Sequence, residues 1–293
     1  MKINKAIIAN AGFGTRFLPI TKTIQKEMLP VIDRPVVDYV VDDLIGAGIT
    51  EIIFVISEHN KQLLHYYREN SRLEEYLKKM GKEQLYEKIK NLHQKAQFHF
   101  VKQTDEDQYG TSVPVKLAQN HLNDEDAFAV LMGDDILYNA DGSSEMARMI
   151  AFLEQTGASN LATFVEQPQE RLHMYGVADI IEKNGTQYLK ALVEKPEPGT
   201  APSNLANISK YILTPEIFEA IDKQLPNPKS GELYITDAVT TLAQKQDVLL
   251  YTPQGTYLDC GYPLGWLKAN LTLAKNNPEL RTELKNYLAE IGF

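Results

Sequence analysis

The sequence predicts an α/β chain built on a mixed, mostly parallel sheet with helices on both faces. Three observations carry that expectation. The opening run Lys5–Asn10, KAIIAN, is short and apolar and stops at a glycine-bearing turn. An amphipathic stretch at 36–48, VVDYVVDDLIGAG, separates it from a second apolar, β-branched run, EIIFVIS at 51–57. Strand, loop, helix and strand thus follow one another as in a βαβ unit. The run AFAVLMGDD at 127–135 is apolar without alternation, as suits a strand covered on both faces.

The remaining elements follow in order. Between the second strand and HFV at 99–101 lies a polar stretch, 61–95. In it Leu63, Leu64, Tyr67, Leu73, Tyr76, Leu77, Leu85, Ile89 and Leu92 recur at roughly helical spacing. An insertion of that length in a parallel sheet forms a lid or a subunit contact, or else a solvated helical hairpin. NLATFVEQ (160–167), YGVADII (175–181) and YLKALVEKP (188–196) read as further strands. Gly157, the Lys183–Asn184–Gly185 turn and Pro196 punctuate them. From Tyr262 to Phe293 the pattern is helical. No repeat, low-complexity tract or linker interrupts the chain, so one domain over 1–293 is expected.

Composition narrows the function classes. The chain has 293 residues, 43% apolar and 24% charged, enough to bury a sizeable core without disulfides or structural metal. Thirty Lys and Arg against 39 Asp and Glu leave a net charge of −9. A protein that coats DNA or RNA needs a basic face, so no nucleic-acid partner is expected. A small anionic ligand needs only a few focused cations and stays open. The single Cys260 excludes an internal disulfide and a cysteine-rich metal site. No apolar run reaches the ~18 residues of a membrane span. The apolar part of MKINKAIIANAGFG is too short for a signal peptide. A cytoplasmic chain without membrane partners is expected.

The segment AGFGTRFLPITKTIQKEMLP at 11–30 is the most informative. Gly12 and Gly14 follow a strand, where glycine lets backbone amides approach a phosphate or base. The third glycine of the dinucleotide fingerprint is missing, as is the GK[ST] of a P-loop. The first absence disfavours a dinucleotide-dependent dehydrogenase. Arg16 and Lys26 add a bidentate cation and a point charge, with Pro19 and Pro30 stiffening the loop.

This ordered string closely resembles the signature of the bacterial sugar-1-phosphate nucleotidyltransferases, and its TK…KEMLP form resembles the UTP–glucose-1-phosphate uridylyltransferases. The resemblance continues through AGITEIIFV (47–55), SRLEEYL (71–77), GDD (133–135), YGV (175–177), LVEKP (192–196), APSNLANISKYIL (201–213), GELYITDAV (231–239) and LDCGYPLGWLKA (258–269). It implies a Rossmann-like nucleotidyltransferase fold with a helical insertion and a helical C-terminus. It also implies formation of UDP-glucose and pyrophosphate from UTP and glucose 1-phosphate, by in-line attack on the α-phosphate. Carried over by position, Arg16 clamps the triphosphate and Lys26 approaches the reacting phosphates. Ala11, Gly12, Gly14 and Thr15 belong to the nucleotide-binding loop. Glu27, Gln103 and Gly110 lie around the base, and Gln103 reads its edge. Gly176, Glu194 and Lys195 hold the sugar and its phosphate. Asp134 and Asp259 ligate Mg²⁺, hard oxygens suiting that ion. The resemblance further implies a homodimer or homotetramer.

Three departures stand out. Gln25 occupies the position before Lys26 where the pattern has proline. The ANAGFGTR start differs from the commoner AAGLGTR. In QYGTSVPVKLA at 108–118, Ser112, Val113 and Pro114 stand where small residues or histidine are usual. The last departure leaves two alternatives beside UDP-glucose synthesis: another nucleotide such as dTTP, or another sugar 1-phosphate. A non-catalytic sugar-nucleotide-binding regulator is a third. The joint presence of Arg16, Lys26, Asp134, Lys195 and Asp259 speaks against it, because unpaired charge in a desolvated cleft is costly.

Overall fold

A computed structural model describes residues 1–292. The strands are β1 Lys5–Asn10, β2 Pro30–Val31, β3 Arg34–Pro35, β4 Glu51–Ser57, β5 Gln97–Gln103, β6 Phe128–Met132, β7 Asp135–Tyr138, β8 Asn160–Glu166, β9 Gly176–Lys183, β10 Thr186–Glu194, β11 Leu205–Leu213, β12 Val248–Tyr251 and β13 Thr256–Asp259. The helices are α1 Val36–Gly46, α2 Gln62–Tyr66, α3 Ser71–Lys79, α4 Glu83–Tyr86, α5 Ser112–Leu117, α6 Glu145–Thr156, α7 Glu216–Asp222, α8 Ile235–Ala243, α9 Pro263–Asn276 and α10 Pro278–Glu290.

Nine strands form one mixed sheet in the order β5-β4-β1-β6-β11-β8-β12-β10-β9. Only β10 and β11 run against the others. The sheet is therefore mostly parallel in direction, as the uninterrupted apolar runs imply. Strand alternation sorts β1 between two cores. Ile7 packs with Ile53, Val55, Phe128 and Val130 under α7 and α8. Ala6 and Ile8 pack with Ile52, Phe54 and Leu131 under α1 and α6. Val37, Val40, Val41 and Leu44 give α1 its buried stripe. Ser144 caps α6 by accepting from the Ala147 N–H, and Gly157 ends it at φ 70°.

The run 127–135 is not one strand. Pairing with β1 stops at Met132, and β7 turns away to pair antiparallel with β13. The turn falls at Gly133, where a Cβ would lie 2.0 Å from Asn10 Nδ2 and 3.1 Å from Glu27 Cγ. Glycine is required for that approach, and it frees Asp134 from the sheet.

The insertion is a chain of short helices, α2 to α4, rather than one hairpin. Asn70 caps α3 by accepting from the Leu73 N–H. Its two ends are tied to α1: the Tyr67 hydroxyl donates to Asp38 Oδ1 at 3.0 Å, and Lys95 Nζ to Asp42 Oδ1 at 2.7 Å. The stretch between them is mostly exposed. The C-terminal helical pattern resolves into α9 and α10, with Phe293 outside the described residues. Among the described residues no helix is long and apolar enough to cross a membrane.

Candidate active site

Open α/β sheets bind ligands beyond the carboxyl ends of their strands. There the loops after β1, β5 and β6 enclose a cleft of about 350 Å³. Its lining includes Ala11, Gly12, Gly14, Thr15, Arg16, Lys26, Glu27, Gln103, Gly110 and Lys195. Asp134 and Asp259 lie beneath it and meet at Gly261. Gly176 and Glu194 lie behind Lys195 and do not line this cleft.

The loop after β1 folds as three short 3-10 turns, Thr15–Phe17, Ile20–Lys22 and Lys26–Met28. Gly14 sits at φ 63°, and the Thr21 hydroxyl donates to its carbonyl at 2.8 Å. Gln62 of α2 clamps the far side. Its Oε1 accepts from the Gln25 N–H at 2.8 Å, and its Nε2 donates to the Thr23 carbonyl at 2.9 Å. A proline at position 25 has no N–H for the first bond. Gln25 nonetheless keeps φ −58°, within proline's range. Its own Nε2 donates to the Asn10 carbonyl at 2.6 Å. Hydrogen bonds here replace the ring that stiffens the loop in the related pattern.

That loop delivers Lys26 to the floor, where Nζ lies 2.6 Å from Asp134 Oδ2 and 3.7 Å from Glu27 Oε1. Burial disfavours the Lys26 ammonium, but the charges of Asp134 and Glu27 outweigh burial and raise its pKa. Lys26 is a cation at any working pH. Burial also opposes ionisation of Asp134, and Lys26 outweighs it there too, holding the carboxyl below its ordinary value. Glu27 is buried with Oε2 unpartnered, and burial pushes it up to about 7.

The β7–β13 ribbon brings the second carboxylate in, with Asp259 opposite Asp135 in register. A Cβ on Gly261 would fall 2.8 Å from Asp134 Oδ2 and 3.1 Å from Asp259 Oδ1. Glycine thus leaves open a small space that two carboxylate oxygens face. Burial raises the Asp259 carboxyl, and the charge of Asp134 adds to this. Two hard, mutually repelling oxygens around one space suit a divalent cation of the Mg²⁺ type. Asp135 has a different task. Burial, then the charges of Asp134 and Asp259, push it well up, and its carbonyl accepts from the buried Lys210 Nζ at 2.9 Å.

Across the cleft Lys195 sits at φ 45°, a strained left-handed conformation for lysine. Its N–H donates to the Tyr175 carbonyl at 2.9 Å. Its Nζ lies 3.6 Å from Glu194 Oε1 and 4.8 Å from the centroid of the Tyr234 ring. Glu194 pairs in register with Gly176 and accepts from the Thr236 hydroxyl at 3.0 Å.

Gln103 ends β5 and donates weakly to the Gln108 carbonyl at 3.4 Å. The altered loop beyond it is pinned to the Leu233–Ile235 segment. The Leu233 N–H donates to the Tyr109 carbonyl and the Ser112 N–H to the Leu233 carbonyl, both at 2.9 Å. The Ile235 N–H donates to Thr111 Oγ1, also at 2.9 Å. Gly110 has φ 137°, and a Cβ on it would fall 2.3 Å from the Leu233 carbonyl oxygen. Its glycine is needed for this backbone approach.

Sequence reasoning missed Gln62, Tyr234, Phe13, Tyr109 and Arg171. Arg171 donates to the Tyr175 and Tyr262 hydroxyls at 3.2 and 3.4 Å, and its charge offsets a small part of the upward push on Asp259. Only Phe13 and Tyr109 carried a signal, as aromatic residues set directly beside glycines.

Comparison with known proteins identifies the family. The Nucleotidyl transferase family model matches residues 5–276. A UTP–glucose-1-phosphate uridylyltransferase of Staphylococcus haemolyticus is 37% identical over 293 residues, covering 100% of this chain and 99% of its own. A UTP-bound UGPase from Acinetobacter baumannii superposes with a TM-score of 0.85 at 31% identity, over 99% of both chains. A UDP-glucose pyrophosphorylase complexed with UDP-glucose gives a TM-score of 0.81 at 33% identity, over 94% of this chain and 100% of that one. A glycine loop feeding a lysine onto paired carboxylates, in a sheet shared with these enzymes, means that the chain belongs to the nucleotidyl transferase family, on the branch of the UTP–glucose-1-phosphate uridylyltransferases.

Proposed function

We propose that this protein makes UDP-glucose and pyrophosphate from UTP and glucose 1-phosphate. The observation that carries the reading is the convergence of Lys26, Asp134 and Asp259 beneath the glycine loop, with Lys195 on the facing wall. A phosphate oxygen of the sugar phosphate attacks the α-phosphorus of UTP. The bond from that phosphorus to the bridging oxygen breaks on the opposite side, and pyrophosphate leaves with the electron pair. Catalysis of such a transfer is chiefly positioning and charge neutralisation.

The residues divide that work. Backbone amides from Ala11 to Thr15 face the triphosphate, and Arg16 clamps it from the rim. Lys26, fixed as a cation, meets charge at the reacting phosphates. Gln103 and, deeper, Glu27 offer hydrogen-bonding groups to the base, while Gly110 admits it closely. Lys195 holds the sugar phosphate in line, and Gly176 and Glu194 form the sugar side. Asp134 and Asp259 would hold a divalent cation, Mg²⁺ by the chemistry of the donors. When bound, such an ion neutralises phosphate charge and fixes its geometry. The protein self-associates as a homodimer or homotetramer in this proposal, which light scattering would read.

Pyrophosphate release from purified protein tests the proposal, with UTP, dTTP, GTP and ATP each offered beside several sugar 1-phosphates. The expected best pair is UTP with glucose 1-phosphate. A preference for GTP or ATP would leave the reaction type and remove the uridylyl assignment. Full turnover in excess chelator would remove the metal.

A further inference from the structure

Two aromatic rings stand at the mouth of the cleft. Phe13, between Gly12 and Gly14, is 69% exposed, and Tyr109, beside Gly110, is 52% exposed. Both line the cleft together with Gln103. Their ring centroids are 6.5 Å apart and their planes inclined by 31°. The backbones beneath them are fixed. The Gly14 carbonyl accepts from the Phe17 N–H at 3.0 Å, and the Tyr109 carbonyl from the Leu233 N–H at 2.9 Å. Anchored loops thus carry free rings. Neither ring is buried in a core, and the glycine string departs from the commoner AGLG by this phenylalanine.

A planar ring stacked between two others needs ~7 Å between the outer planes, set by carbon contacts of ~3.5 Å on each face. The ring centroids stand 6.5 Å apart, a separation of that order, and rotation about the side-chain bonds of the two exposed residues can bring their faces onto a ring. Gln103 lines the same cleft, and its side-chain amide can hydrogen-bond the edge of a base. We propose that Phe13 and Tyr109 form an aromatic clamp that stacks on the nucleobase, adding affinity for nucleotides of any base, while Gln103 selects among them. The proposal rests on the nucleotidyltransferase reading of the cleft and deepens it. Every base has a π-face, so stacking discriminates little. A hydrogen-bonded edge discriminates strongly.

The test uses Phe13→Ala, Tyr109→Ala, the double variant and the conservative Phe13→Tyr. Isothermal titration gives Kd for UTP and for inorganic triphosphate, which has the charge and no base. Steady-state rates give kcat and KM for UTP, GTP and glucose 1-phosphate. Each alanine variant should weaken UTP roughly tenfold and the double variant roughly a hundredfold. Phe13→Tyr should retain affinity. Inorganic triphosphate binding, KM for glucose 1-phosphate and the UTP-to-GTP ratio of kcat/KM should hold. Unchanged UTP affinity in the double variant would overturn the clamp. So would an equal loss of inorganic triphosphate binding, which means a collapsed loop, or a collapsed UTP-to-GTP ratio, which means base selection by the rings. If wild type proves to prefer another nucleotide, the uridylyl reading fails separately, and the clamp is judged on that nucleotide's Kd.

Discussion

The floor and the rim of the cleft are built on opposite principles. On the floor Glu27, Asp134 and Asp135 are buried around Lys26, which pairs with Asp134 and lies near Glu27. On the rim Phe13, Thr15, Arg16 and Tyr109 are exposed, and Gln103 holds one long hydrogen bond. Polar groups fixed before the reaction need no reorganisation during it. Exposed groups can shape themselves to a ligand. The floor's charges are therefore set by folding, while the rim can adjust to a ligand.

The largest effect that would break this contrast is at the floor. Asp134→Asn keeps the shape and removes the charge, and should lower turnover by at least roughly 10²–10³-fold with the circular dichroism spectrum unchanged. Lys26→Ala should do the same and also leave buried carboxylates unpaired, at about 3–5 kcal/mol of stability. Arg16→Ala, on the rim, should lose activity with no shift in thermal midpoint. Equal destabilisation by Arg16→Ala and Lys26→Ala in thermal melts would erase the distinction.

Glu27 sharpens the contrast through pH. Its folded-state pKa is raised from 4.5 to about 7, so the folded protein binds this proton more tightly than the unfolded chain does. The resulting stability is fully present below pH ~4.5 and is lost as pH rises through ~7, a change on the order of 3 kcal/mol. Wild type should therefore lose stability relative to Glu27→Gln across that window. Parallel denaturation midpoints from pH 5 to 8 would remove the argument.

Base selection comes next. Gln103→Ala should narrow the gap between UTP and GTP, lowering kcat/KM for UTP by roughly tenfold or more and leaving GTP nearly unchanged. A parallel fall for both nucleotides would assign Gln103 to loop structure.

The smallest effect tests the clamp behind the floor. Gln62→Ala frees the loop at Thr23 and Gln25 and should lower kcat about three- to tenfold through misplacement of Lys26, with little change in KM. In a Gln25→Pro background, where the ring takes over the stiffening, the same substitution should cost less. Additive losses in the double variant would mean that the two devices are unrelated.

Much of this was legible in the sequence because it is local. Apolar runs expose β1, β4 and β8, and the glycine string and the carboxylates after apolar strands are contiguous motifs. The strand β11 escaped because LANISKYIL hides Asn207 and Lys210 inside it. Lys210 is tolerated there because it donates to the Asp135 carbonyl, a partner 75 residues away. The break at Gly133 was invisible for the same reason, since the atoms forbidding a side chain belong to Asn10 and Glu27. Gln62 acts on backbone groups of another segment, which leave no periodicity to read.

The pinning of Tyr109–Ser112 to Leu233 has a thermodynamic consequence. Leu233 adjoins Tyr234, whose ring underlies Lys195. One stretch of backbone thus joins the Gly110 loop to the wall that carries Lys195, and a displacement of one would bear on the other. Linkage makes any such coupling reciprocal: the factor by which UTP alters the affinity for glucose 1-phosphate is the factor by which glucose 1-phosphate alters the affinity for UTP. An empty cleft and a half-filled cleft are then different receptors for the second substrate.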